Sequence, residues 1–134
     1  MANRASKNAD MATLFRALAD RTRLRLLNLM GDGDMCVCFF VEILGISQPN
    51  VSRHLAYLRQ AGVVVARREG KWIHYRVKTP SDPHAAKLLA DVGAWFAEDK
   101  EMKRDRKRLV NICCAPQLPI PLRGAPRPAS LSLA

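Results

Sequence analysis

Apolar residues recur at three- and four-residue intervals early in the chain. Leu14, Phe15 and Leu18 follow Met11, and Leu24 and Leu27 are joined by either Leu26 or Met30. That period puts each set on one face of a short helix. Asp20 sits between the two sets, where a short oxygen side chain caps a helix start, so the second helix is predicted over Arg21 to Met30. Gly31-Asp32-Gly33-Asp34 breaks the pattern. A short apolar run, Cys36 to Leu44, reads as a third helix stopped by Gly45. Ser47 is the next N-cap, with Gln48-Pro49 in the first turn, where proline is tolerated. The helix from Pro49 to Gln60 places Val51, Leu55 and Leu58 on one face, and Gly62 ends it.

The period then changes. Residues 63–68 (VVVARR) and 72–77 (WIHYRV) are rich in β-branched and aromatic side chains, and Glu69-Gly70-Lys71 joins them, so they read as a hairpin. Trp72 and Tyr75 differ in strand parity, so one ring faces inward. A turn over 79–83 leads into a long predicted helix from Ala85 to Val110, with Leu88, Leu89, Val92, Trp95 and Phe96 apolar. Beyond Cys114 the pattern fades. Residues 115–134 hold five of the eight prolines and no acidic residue, the composition of a disordered basic tail. The expected division is a folded unit over 1–112 and a Cys-Cys plus proline-rich tail over 113–134. The fold class is mainly α with a small β-hairpin: four helices, a hairpin and a last helix.

Charge narrows the partners. Across 134 residues, 22 Lys and Arg face 12 Asp and Glu, for a net charge of +10 and a pI near 10.1. A polyanion is the expected partner, nucleic acid before membrane. No apolar run approaches the roughly 20 residues of a membrane span, and MANRASKNAD lacks the apolar core of a signal peptide. These features point to a cytoplasmic protein, in which four cysteines are reduced and read as ligands or reactive groups.

Helix, short turn, helix and hairpin, in that order, form a helix-turn-helix followed by a wing. The second helix of such a unit enters the major groove of double-stranded DNA with its N-terminal residues against the base edges. Here those are Ser47, Gln48, Asn50, Ser52, Arg53 and His54. Gln and Asn match adenine, and Arg matches guanine or a phosphate. Ser47 doubles as a cap, and His54 either touches DNA or orients the helix. Arg67, Arg68 and Lys71 of the hairpin are placed for the backbone or minor groove. The stretch SQPNVSRHLAYLRQAGVVVARREGKWIHYRV resembles the core of the ArsR/SmtB winged-helix repressors. LADRTRLRLLNLM resembles their second-helix signature, and MCVC the metalloid motif of the arsenic-responsive branch. The resemblance spans about residues 11–100. It implies a homodimer joined by its first and last long helices, with two recognition helices on two half-sites of a palindromic operator.

Cys36 and Cys38 need separate treatment. In a regular helix, residues i and i+2 point about 200° apart; in extended chain they share a face. A two-sulfur grip by CVC therefore calls for a first turn that departs from helix. A helix N-terminus favours thiolate, and thiolates select soft ions. Trivalent arsenic and antimony take three thiolates. The family resemblance puts the third at Val41, which is not a cysteine. Cys113 and Cys114 are the remaining thiols, and they either complete the Cys36/Cys38 site, from the same chain or across a dimer, or form a second site. The family's zinc site is matched only in part: Asp82 and His84 fit its first half and Glu98 its last ligand, but Trp95 stands where a histidine belongs, short of the four ligands zinc wants.

The leading expectation is a repressor released by arsenite or antimonite. Alternatives are the same dimer switched by thiol oxidation, or by another soft species such as cadmium, lead or an organoarsenical. A thiol enzyme or metal carrier is disfavoured, since no catalytic base, CxxC or phosphate loop accompanies the thiols.

Overall fold

The computed structural model describes residues 10–31, 33–113 and 120–128. Helix α1 (Met11–Leu18) starts at Asp10, whose carboxylate accepts from Ala12 N and Thr13 N. Helix α2 (Arg21–Met30) starts at Asp20, which accepts from Arg23 N at 3.0 Å. Then come β1 (Met35–Cys36), α3 (Val37–Leu44), α4 (Gln48–Gln60), β2 (Val64–Glu69), β3 (Trp72–Val77), α5 (Pro83–Phe96), α6 (Lys100–Cys113) and a 3-10 turn over Ile120–Leu122.

The wing is a three-stranded antiparallel sheet in the order β1-β3-β2. β2 and β3 pair from Val64↔Val77 to Glu69↔Trp72, leaving a two-residue turn that Gly70 opens at φ 59°, a conformation that favours glycine. β1 adds Met35↔Tyr75 and Cys36↔His74 on the other edge of β3. The sequence pattern placed Cys36 in a helix. The structure makes it extended, at φ −69° and ψ 143°, and starts α3 one residue later.

Phe39, Phe40 and Ile43 of α3 meet Leu26 and Leu29 of α2 and Val51, Leu55 and Leu58 of α4 in the core. Each such side chain contributes about 1.5–3 kcal/mol of burial before chain entropy is subtracted. On α2 the inward face is Leu26, Leu27, Leu29 and Met30, and Leu24 is only partly buried.

The predicted single helix over 85–110 is two helices. Asp99 accepts from Met102 N at 3.0 Å and so caps α6. Arg21 of α2 holds that carboxylate at 2.6 Å and Glu101 at 2.7 Å, which keeps Asp99 below the usual carboxylate range. The chain turns there, and α6 packs back on α2 through Met102, Leu109 and the Asp105–Arg25 pair at 2.7 Å. α5 buries no residue. Composition predicted disorder beyond Cys114, yet within 120–128 Leu122 and Ala125 are buried in the core cluster.

Candidate nucleic-acid interface and thiol site

Gly45, in the left-handed region at φ 69°, ends α3 and turns the chain toward α4. Ser47 Oγ accepts from Asn50 N at 3.3 Å, so it does cap α4. Behind it, Val51, Leu55 and Leu58 fix the inward face of the helix. That leaves Gln48, Asn50, Ser52 and Arg53 exposed on the outward face, with Arg53 donating to Asn50 Oδ1. His54 is different: its Nδ1 lies 3.2 Å from Arg23 Nη1, and burial lowers its pKa, which favours the neutral ring.

On the wing, Arg67, Arg68 and Lys71 are exposed. Lys71 Nζ stands 5.1 Å from the Trp72 ring centre. Arg67 is tied to Asp34 Oδ2, with Nη2 at 2.8 Å and Nε at 3.1 Å. Arg76 Nε approaches the other oxygen of Asp34 at 3.7 Å. Asp34 was not among the residues the sequence singled out. It stands two positions before Cys36, in the turn that delivers β1.

The two thiols are adjacent. Cys38 Sγ donates to Cys36 Sγ at 2.9 Å, possible because Cys36 is extended while Cys38 lies in the first turn of α3. Cys36 is 1% exposed and Cys38 is half-buried. The hydrogen bond from Cys38, helped by the Val37 and Cys38 amides at the helix start and by His74 across the strand pair, brings Cys36 down to about 6 against the penalty of burial. Cys38, which keeps the shared proton, is pushed up. The contact thus favours the thiolate on Cys36 and the thiol on Cys38. His74 Nε2 in turn meets Glu69 Oε1 at 2.9 Å.

Among the described residues, no three His, Cys, Asp or Glu side chains gather into a metal-binding group. Cys113 ends α6, half-buried, with its carbonyl accepting from Arg127 Nη1; Cys114 lies outside the described residues. Asp82 is committed to capping α5, accepting from His84 N and Ala85 N at 2.8 and 3.2 Å. Trp95 is 73% exposed. Among the described residues no helix is long and apolar enough to cross a membrane.

Residues 20–65, from the Asp20 cap to the start of β2, match the model of the bacterial regulatory protein arsR family. The chain is 39% identical over 103 residues to the arsenical resistance operon repressor of Escherichia coli (strain K12), covering 76% of this chain and 86% of that protein. Among solved structures, it is similar to a homodimeric winged helix-turn-helix DNA-binding domain from Mycobacterium bovis. That likeness has a TM-score of 0.54 and 31% identity, over 66% of this chain and 80% of that one. It is also similar to the AntR antimony-specific transcriptional repressor, with a TM-score of 0.51 and 35% identity, over 67% and 78% of the two chains.

Proposed function

The chain belongs to the ArsR family of bacterial regulatory proteins, DNA-binding transcriptional regulators rather than enzymes, and from that premise we propose a cytoplasmic repressor released by trivalent arsenic or antimony. The observation that carries this reading is the Cys36–Cys38 contact of 2.9 Å. It places two soft donors, one of them favoured as the thiolate, at the root of the helix that precedes α4. The inducer class is further supported by the similar arsenical-resistance and antimony-specific repressors.

Bound trivalent arsenic or antimony supplies a thiophilic centre that takes three sulfurs. Cys36 and Cys38 would hold it as two arms, and Cys113 or Cys114, from the same chain or its partner, would supply the third unless that pair forms a second site of its own. Deprotonating Cys38 removes the hydrogen bond that joins the pair. The segment that must then adjust is β1, which is paired to the wing, and Asp34, which holds Arg67.

On DNA, Gln48, Asn50, Ser52 and Arg53 of α4 meet base edges or phosphates, with Ser47 and His54 at the helix's phosphate-facing side. Arg67, Arg68 and Lys71 track the backbone or minor groove. A homodimer spans the two half-sites. Its interface is supported by the apolar side chains that a single chain leaves uncovered: Phe15 of α1 is 53% exposed, Trp95 of α5 is 73% exposed, and no residue of α5 is fully buried.

The test is fluorescence anisotropy of the fully reduced protein on the DNA upstream of its own gene, titrated with arsenite and then antimonite. Wild type should bind and then release. Cys36→Ser/Cys38→Ser should bind and stay bound. Cys113→Ser/Cys114→Ser should also resist release if the tail thiols complete the site. Release by oxidant but by neither metalloid would replace this reading with a redox switch.

A further inference from the structure

Arg23 of α2 is an arginine with almost no contact with water; its side chain is 10% exposed. Nε donates to Ala17 O at 2.7 Å and Nη2 donates to Arg16 O at 2.9 Å, which satisfies carbonyls at the end of α1. The rest of the guanidinium turns to α4. It lies 4.5 Å from the Tyr57 ring centre, and Nη1 stands 3.2 Å from His54 Nδ1. One side chain therefore ties α1 and α2 to the DNA-reading helix.

The chemistry of that last contact fixes a proton. A guanidinium has donors only and stays charged. At 3.2 Å from Nη1, Nδ1 must offer a lone pair. The imidazole is then neutral, and its single proton sits on Nε2. The charged groups facing the ring are Asp20, 3.9 Å from Nδ1, Arg23 and its own helix neighbour Arg53. Burial and the two arginines together outweigh Asp20 and favour the neutral form. The ring edge that carries Nε2–H belongs to a side chain still 23% exposed.

We infer that Arg23 is a positioning residue for DNA recognition: by holding His54 Nδ1 it locks the Nε2–H tautomer and presents that N–H to a phosphate oxygen of the operator backbone. The inference rests on the reading of α4 as the DNA-contacting helix. It assigns a role to a residue that touches no DNA. It also makes His54 an oriented neutral donor, which adds a hydrogen bond without neutralising a phosphate charge.

The experiment has one arm without DNA and one with it, both on the full reduced chain. Long-range 1H–15N correlation spectra of the imidazole nitrogens report the tautomer directly. Wild type should show a protonated Nε2 and a bare Nδ1 for His54, and Arg23→Gln should mix the two tautomers. In the DNA arm, His54→Asn keeps an acceptor where Nδ1 stood and loses the distal donor. It should keep the melting temperature and lose about tenfold or more in operator affinity, the scale of a hydrogen bond to a charged group, with the salt slope unchanged. His54→Gln keeps a distal donor and loses the Nδ1 acceptor. With no acceptor left for Arg23 to hold, that donor is no longer aimed, so operator affinity should also fall about tenfold and the melting temperature should drop; wild-type affinity in His54→Gln would overturn the positioning role of Arg23. An Nδ1–H tautomer in wild type, or wild-type affinity in His54→Asn, would overturn the assignment. Wild-type protein that does not bind its upstream DNA would instead remove the repressor reading, and this inference with it.

Discussion

Asp34 holds Arg67: one carboxylate oxygen accepts from both Nη2 and Nε of that wing arginine, at 2.8 and 3.1 Å. The pair ties a residue read as a DNA contact to the turn that leads into the thiol site. Because Arg67 is about half exposed, the pair adds at most about 1 kcal/mol to stability. Its effect on DNA binding is larger, since a phosphate must take Arg67 from Asp34. Asp34→Asn is expected to tighten operator binding several-fold without inducer, and to steepen the salt dependence by about one counterion. It is also expected to blunt release by metalloid. Anisotropy over a salt series measures all three, and an unchanged slope would detach Arg67 from the DNA surface.

The thiol pair has a worked pH dependence. Cys36 falls from the ordinary 9.0 to about 6 in the folded chain. A depressed acid contributes stability that is complete above its unfolded pKa and gone below its folded one. The Cys36 contribution therefore builds between about pH 6 and 9. Cys38 is raised, so it opposes further gain above about 9. In a pH titration of the ultraviolet thiolate absorbance, which needs no reagent access, the first thiolate should appear with a midpoint near pH 6, and Cys36→Ser should abolish that step. Cys38→Ala removes the hydrogen bond that lowers Cys36 most and should move that midpoint upward. A midpoint unmoved by that change would mean the hydrogen bond is not the cause.

Ser47 separates capping from contact. Aspartate caps a helix as well as serine does, but it places a negative charge where phosphates are expected. Ser47→Asp should therefore keep the melting temperature within a degree or two while lowering operator affinity by at least tenfold. Ser47→Ala should do the reverse, costing about 1 kcal/mol of stability with a modest effect on binding. Equal affinity in wild type and Ser47→Asp would move the DNA away from the start of α4.

Helix α6 is part of the core, and its removal from the packing should show. Leu109 is fully buried. Leu109→Ala is expected to lower the unfolding free energy by about 2–5 kcal/mol, measured by urea denaturation. A loss under about 1 kcal/mol would mean α6 does not pack on α2 in solution.

The parts of the fold written in local pattern were legible. Asp20 and Ser47 announced their helices because capping is decided by the residue and its next three neighbours. Val51, Leu55 and Leu58 announced an inward face by spacing alone. The break at residues 97–99 was not legible, because Ala97, Glu98, Asp99 and Lys100 are acceptable in a helix interior. Asp99 becomes a cap in company with Arg21, which comes from 78 positions away. β1 was hidden for the same reason: a two-residue strand has no periodicity, and only its pairing with Tyr75 and His74 makes it one. The residues proposed to face DNA were named from the motif, but Asp34 and Arg23, which hold Arg67 of the wing and His54 of α4, were not. Acidic and basic residues near a turn look alike until a partner is seen.

Two-residue β1 also closes one edge of β3. A sheet edge without a partner offers unpaired N–H and C=O groups to any passing strand. If Cys36 leaves its place opposite His74 in the proposed metalloid-bound form, that edge opens. That form would then be the one more inclined to pair with its own kind, and the brevity of β1 limits the exposed edge to Tyr75 and His74.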